Sequence, residues 1–132
     1  MTTAPRAEKL TLFLAEDEEG TAILLKFLLA RGGYTVVHAA DGQQAQTKID
    51  QMLPPALVLL DIMLPYLSGL QLLAHIRQKA EWQYVPIIML TADSNERDIE
   101  QALAAGANDY MVKPFNPREL TARLQRFLKV AS

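Results

Sequence analysis

The chain has 132 residues, with 13 Lys and Arg against 15 Asp and Glu, no Cys, and hydrophobic residues at half its positions. That length suits one domain with a real core, and the slight negative balance argues against a chain built to neutralise nucleic-acid phosphates. The lack of Cys removes disulfides, thiolate metal sites, iron–sulfur ligation and thiol nucleophiles together. No apolar run approaches the roughly 20 residues needed to span a bilayer, and Met1–Lys9 has no signal-peptide core. The expectation is a cytoplasmic single domain that binds neither membrane nor nucleic acid, with residues 1–9 a flexible segment and residues 10–130 the folded part.

Short apolar runs alternate with longer stretches of helical period. Leu10–Ala15 opens the chain as a strand, and Ile23, Leu24, Phe27 and Leu28 then mark one face of a helix that stops at Gly32 and Gly33. Tyr34–His38 is a second strand, followed by a helix opened by Asp41, marked by Ala45, Ile49 and Met52, and closed by Pro54 and Pro55. Ala56–Leu60 shows almost no alternation, as a strand covered on both faces should. Leu72, Leu73 and Ile76 mark the third helix. The fourth strand, Val85–Leu90, carries Pro86 at its entrance, where a missing ladder donor does least harm. Ile99, Ala102 and Leu103 mark a fourth helix ending at Gly106, and Asp109–Val112 is the weakest strand. Leu120, Leu124, Phe127 and Leu128 form a fifth helical stripe, with Asn116, Pro117 and Glu119 at the cap, first and third positions of a helix start.

Five alternations of strand and helix predict a parallel sheet with helices on both faces. Right-handed crossovers make it a doubly wound α/β fold, since the eight units of a barrel would not fit in this length.

Open parallel sheets bind ligands beyond the carboxyl ends of their strands, near the point where strand order reverses. Glu16 and Asp17 follow the first strand, Asp61 ends the third, Thr91 ends the fourth and Lys113 follows the fifth; the second offers nothing comparable. Glu18 and Glu19 read as acids favoured at the positive end of the first helix. Asp61 closes an apolar run and precedes Ile62–Leu64, so its burial needs a partner. Thr91 and Lys113 are unremarkable alone and informative together. Three clustered carboxylates repel, so one takes a proton or a cation neutralises them. Oxygen donors without Cys or His select a hard ion, Mg²⁺ or Mn²⁺, and a Lys opposite it supplies a second positive charge for a phosphoryl group. With no base beside Thr91, the best nucleophile is a carboxylate, for which an acyl phosphate is known chemistry.

Four segments, Leu14–Glu18, Asp61–Gly69, Leu90–Ala92 and Gly106–Phe115, in this order and spacing closely resemble the receiver domain of two-component response regulators. The resemblance implies a five-stranded sheet in the order 2-1-3-4-5 and a signalling switch that catalyses its own phosphorylation and dephosphorylation. It implies that Asp61 is the phosphoacceptor and that Asp17, Asp61 and the backbone carbonyl of Met63 hold Mg²⁺, with Glu16 acting through a metal-bound water. Lys113 would pair with the phosphoryl oxygens ahead of a cis bond to Pro114, and Thr91 and Tyr110 would move as the switch. Met63 and Asp93 would tune dephosphorylation; Asp93 reads equally as an N-cap with Glu96 three residues on. The implied partners are a sensor histidine kinase or a histidine phosphotransfer protein. A homodimer through the fourth helix, fifth strand and fifth helix is a further expectation, drawing on Arg97, Asp98, Asp109, Arg118, Glu119 and Arg123. Tyr66 and Leu67 occupy a variable loop, and Asn108 replaces a frequent Asp.

Three other readings are weaker. A P-loop or dinucleotide site needs a glycine-rich turn after the first strand, where this chain has Ala15–Glu19. An aspartate-nucleophile phosphatase resembles D-x-D, and Met63 cannot serve as its acid. A receiver-shaped module that is never phosphorylated would lack the acids or the Lys, all of which are present.

Overall fold

The computed structural model describes residues 9–92 and 96–128. Its strands are β1 Thr11–Ala15, β2 Thr35–Ala39, β3 Leu57–Asp61, β4 Ile87–Thr91 and β5 Asp109–Val112. Its helices are α1 Glu19–Arg31, α2 Gly42–Gln51, α3 Gly69–Gln78, α4 Glu96–Ala104 and α5 Pro117–Phe127, with one 3₁₀ turn at Ala80–Trp82. The strands pair in parallel in the order β2-β1-β3-β4-β5, which is the expected doubly wound α/β fold. The first four strands differ from the apolar runs by one or two residues at their ends, and β5 matches its run.

Alternation along each strand divides the core in two. Leu12 and Leu14 of β1, with Leu57 and Leu59 of β3, face α1 and α5, where Leu25, Leu29, Leu120, Leu124 and Leu128 pack on them. Phe13 and Ala15, with Val58 and Leu60, face the other way, onto Ala45 and Ile49 of α2, Leu72, Leu73 and Ile76 of α3, and Ala102 of α4. Trp82 of the 3₁₀ turn is fully buried in this second layer.

Capping residues start the helices, at Asp41 and Asn116 as the sequence places them and at Glu18 in addition. Glu18 accepts from Gly20 N and Thr21 N at α1, Asp41 from Gln44 N at α2 and Asn116 from Glu119 N at α5. Ser68 and Gln71 complete a reciprocal capping box on α3 that sequence reading did not pick out. Asp93, with its proposed cap, lies outside the described residues.

Two sequence expectations need correction. The stripe assigned to the first helix points outward: Phe27 is 59% exposed, Ile23 and Leu24 are also exposed, and Leu28 is half-buried, while Ala22, Leu25 and Leu29 form the buried face. In α4, Leu103 is likewise exposed, whereas Ile99 and Ala102 are buried.

Arg77 ties the far end of the fold together. Its Nε and Nη2 donate to Gly106 O at 3.0 and 2.9 Å. Its Nη1 donates to Trp82 O and Gln83 O, and its Nη2 also to Asn108 Oδ1. Asn108 Oδ1 accepts Ile87 N as well, at 2.8 Å. All five guanidinium donors are thereby used, joining α3, the 3₁₀ turn and the α4–β5 turn.

Candidate functional site

Register sets the site. Ala15 pairs with Leu60, Asp61 with Leu90 and Thr91 with Val112, so the residues that leave β1, β3, β4 and β5 reach one rim within about a residue of one another. The rim's centre is the crevice between β1 and β3, where strand order reverses.

Glu16, Asp17 and Asp61 each bring a carboxylate oxygen into a group whose members lie within 4.8 Å of one another. Glu16 is fully buried, Asp61 nearly so, and Asp17 is exposed at the mouth. Lys113 Nζ donates to Asp61 Oδ2 at 2.8 Å. It also lies 2.6 Å from Glu16 Oε1, in an ion pair that leaves that oxygen without a directed hydrogen bond. Asp61 Oδ1 accepts from Met63 N at 3.0 Å, and Glu16 Oε2 from Glu18 N at 3.0 Å.

Burial pushes the Glu16 carboxyl up to about 7, with the neighbouring Asp61 adding to the rise and the Lys113 ammonium opposing it. For Lys113, burial lowers the pKa, but bonding to Asp61 and Glu16 outweighs it and holds the ammonium above its usual value. Glu18 is exposed and lies below the ordinary carboxylate range, because the Thr21 hydroxyl, Thr21 N and Gly20 N all donate to it. It caps α1, a more specific role than the sequence reading of an acid favoured at the helix's positive end.

Thr91 is buried at the end of β4, and its carbonyl accepts Lys113 N at 2.7 Å. The Lys113–Pro114 bond is cis. Tyr110 is half-buried against the core layer that holds Trp82, with the Arg123 guanidinium 6.0 Å from its ring centroid.

Asp109 departs from its expected place on an interaction surface. It is buried, and Arg123 Nη1 donates to both its oxygens at 2.7 and 2.8 Å, with Arg126 at 3.5 Å. Two of the charges assigned to that surface therefore satisfy each other within the chain, and Glu119 lies 3.8 Å from Arg123 as well. Arg97 and Asp98 also have interaction partners.

Sequence reasoning missed His38. Its Nε2–H donates to Glu16 O at 2.9 Å, and Lys48 Nζ donates to His38 O at 2.7 Å, so β2 and α2 brace the acid from behind. The available signal was the one titratable side chain in β2.

Two glycines shape the loop after Asp61. A Cβ on Gly69 would stand 2.0 Å from Asp61 O, and one on Gly42 would stand 2.1 Å from Leu67 O. Neither close approach leaves room for a side chain.

Buried acids and a lysine thus meet at the carboxyl edge of a parallel sheet. The family model described as the response regulator receiver domain matches residues 12–125, and the chain belongs to that family. It is 42% identical over 118 residues to the alkaline phosphatase synthesis transcriptional regulatory protein PhoP of Bacillus subtilis, covering 89% of this chain and 48% of that protein. The phosphate regulon transcriptional regulatory protein PhoB of Rhizobium meliloti is also 42% identical over 118 residues, covering 89% of this chain and 52% of that protein. The chain thus spans about half the length of these relatives. Among solved structures, the receiver domain of sensor histidine kinase PA1611 from Pseudomonas aeruginosa, with a magnesium ion in its active-site cleft, is 36% identical. It superposes with a TM-score of 0.83 over 91% of this chain and 98% of that one. Chemotaxis protein CheY4 of Vibrio cholerae is 28% identical, with a TM-score of 0.85 over 92% of this chain and all of the other. No described helix is long and apolar enough to cross a membrane.

Proposed function

We propose that the domain accepts a phosphoryl group on Asp61 from the phosphohistidine of a sensor histidine kinase or a histidine phosphotransfer protein. The observation that carries this reading is Lys113 Nζ between Asp61 Oδ2 and Glu16 Oε1 beside a three-carboxylate group of all-oxygen donors. That donor set suits Mg²⁺, or Mn²⁺ in its place. Asp17, Asp61 and the Met63 carbonyl would hold the ion, with Glu16 behind them through a water. When bound, Mg²⁺ supplies the positive charge that draws a phosphoryl oxygen toward the carboxylates and offsets charge in the transition state.

The protein's own residues do the rest. Met63 N donates to Asp61 Oδ1 and Lys113 Nζ to Oδ2, so the carboxylate is held at both oxygens. Asp61 Oδ2 forms the bond to phosphorus as the bond from phosphorus to the donor's imidazole nitrogen breaks, and the imidazole leaves with that electron pair. Lys113 then transfers its hydrogen bond from carboxylate to phosphoryl oxygen, and Thr91 turns its hydroxyl to another. Tyr110 follows, biasing the surface of α4, β5 and α5. A dimer built on that surface through Arg123 would first have to open its bond to Asp109. Met63, exposed beside Asp61, and Asp93 would govern access of the hydrolytic water.

Acetyl phosphate with Mg²⁺ tests the chemistry by intact mass. The wild type should gain one phosphoryl group, Asp61→Asn should gain none, and EDTA should abolish the gain. Equal labelling of Asp61→Asn would overturn the assignment.

A further inference from the structure

Tyr66 is the one described residue other than glycine with a left-handed backbone, at φ 72°. That region costs a residue bearing a Cβ free energy that glycine does not incur, and an aromatic side chain gives no local hydrogen bond in return. The conformation is imposed from both sides. Pro65 O accepts Leu67 N at 2.9 Å and Gly42 N at 3.0 Å, and Gly69 N donates to Ile62 O at 2.8 Å. Leu67 packs on the core against the α2 start, where Gly42 leaves no slack.

The ring recovers little of this cost inside the chain, being 74% exposed. Met63 on the same loop is 71% exposed, and Pro65 between them is exposed too. This apolar rim begins two residues from the phosphoacceptor and is tied to it by the bond from Met63 N to Asp61 Oδ1. Backbone strain kept at an exposed position beside a reacting group points to a role outside the folded chain.

We infer that Tyr66, held out by this rigid loop, is a specificity residue that contacts the protein delivering the phosphoryl group, an inference that rests on the proposed phosphoacceptor role of Asp61. Asp61 lies almost wholly below the surface. A histidine borne on a protein reaches it only if that protein's surface lies across the residues bordering the opening, and this loop is one border. A small donor such as acetyl phosphate enters without touching the rim. The ring therefore acts on macromolecular donors and not on the chemistry.

The test uses three variants, Tyr66→Gly, Tyr66→Ala and Tyr66→Phe, and two donors: acetyl phosphate with Mg²⁺, and the phosphorylated catalytic core of a histidine kinase chosen because it labels the wild type. With acetyl phosphate all variants should label within about twofold of wild type. From the kinase core, kcat/KM should fall about tenfold or more for the Gly and Ala variants, as for loss of an aromatic anchor at an interface, and Tyr66→Phe should retain most of it. Tyr66→Gly should also melt above Tyr66→Ala, the reverse of the usual order, because only glycine relaxes at this φ. Undiminished transfer from the kinase core to the Gly and Ala variants would overturn the inference, as would an alanine variant at least as stable as the glycine one. A transfer loss traced by sedimentation to lost self-association would overturn it in favour of a second copy as the ring's partner. Failure of acetyl phosphate to label the wild type would bring down the reading of Asp61 itself, and that failure shows before any variant is made.

Discussion

Below about pH 7 the buried Glu16 carboxyl favours its protonated form, so that a proton and a cation would compete for it. Its folded-state pKa of about 7 stands above the ordinary 4.5, so between those values the folded protein holds a proton that the unfolded chain releases. Stability from this group is therefore complete below pH about 4.5 and is lost as pH rises through about 7 in metal-free protein. Urea midpoints from pH 4.5 to 8 should decline more in wild type than in Glu16→Gln, and parallel curves would refute the assignment. Mg²⁺ should displace the proton, so its affinity should strengthen over the same window, with proton release visible to calorimetry in buffers of different ionisation enthalpy. Lys113 offers the complementary test. Lys113→Ala removes the ammonium that already neutralises part of the pocket, so Mg²⁺ affinity should hold or rise while the amide-exchange change on beryllofluoride addition is lost. Collapse of Mg²⁺ affinity with a normal exchange response would show the lysine's role to be different. Glu16, Asp61, Thr91 and Lys113 were legible in sequence because each directly follows or ends an apolar strand. His38 was not, because its contribution is a bond from the ring to a backbone carbonyl, which no spacing advertises.

At the scale of elements, α1 shows where periodicity runs out. Its sequence is apolar on almost every side, so Ile23, Leu24 and Phe27 form as regular a stripe as Ala22, Leu25 and Leu29. Only the crossover from β1 to β2 decides which one meets the sheet. Thermal melts should separate the two. Leu25→Ala and Leu29→Ala should each cost about 2–5 kcal/mol by opening cavities, whereas Phe27→Ser should stay within about 0.5 kcal/mol as a surface change. Similar costs for all three would reverse the assignment of faces. Asp109 was misplaced for a related reason: it reads as a surface charge at a strand start, and its partner Arg123 stands on another element, beyond the reach of a local pattern. Arg123→Ala leaves that buried carboxylate with the Tyr110 N–H and a long contact to Arg126 as its described partners, so it should cost about 3 kcal/mol, read from urea unfolding. The loop after β3 depends on backbone fit. Gly69→Ala would drive a Cβ into Asp61 O and should cost about 3 kcal/mol or more, with loss of acetyl phosphate labelling because Asp61 itself must shift.

Across the whole molecule, the doubly wound architecture followed from alternation and the order of strands from family resemblance, while the fastening did not. Arg77 looks like any helix-end arginine in sequence, yet it joins three segments through backbone carbonyls that become neighbours only after folding. The two core layers have a consequence of another kind. Every interior strand is a party wall: stripping one layer bares the leucines of the other to water, so neither half is a viable lodger without its neighbour. Unfolding should then be a single event felt through the sheet. Leu124→Ala, on the α5 side, should lower the urea midpoint reported by Trp82 fluorescence on the opposite side by the same amount as the midpoint reported by far-UV circular dichroism. If the Trp82 midpoint stayed put while the dichroism midpoint fell, the wall would be a boundary between two separately melting halves.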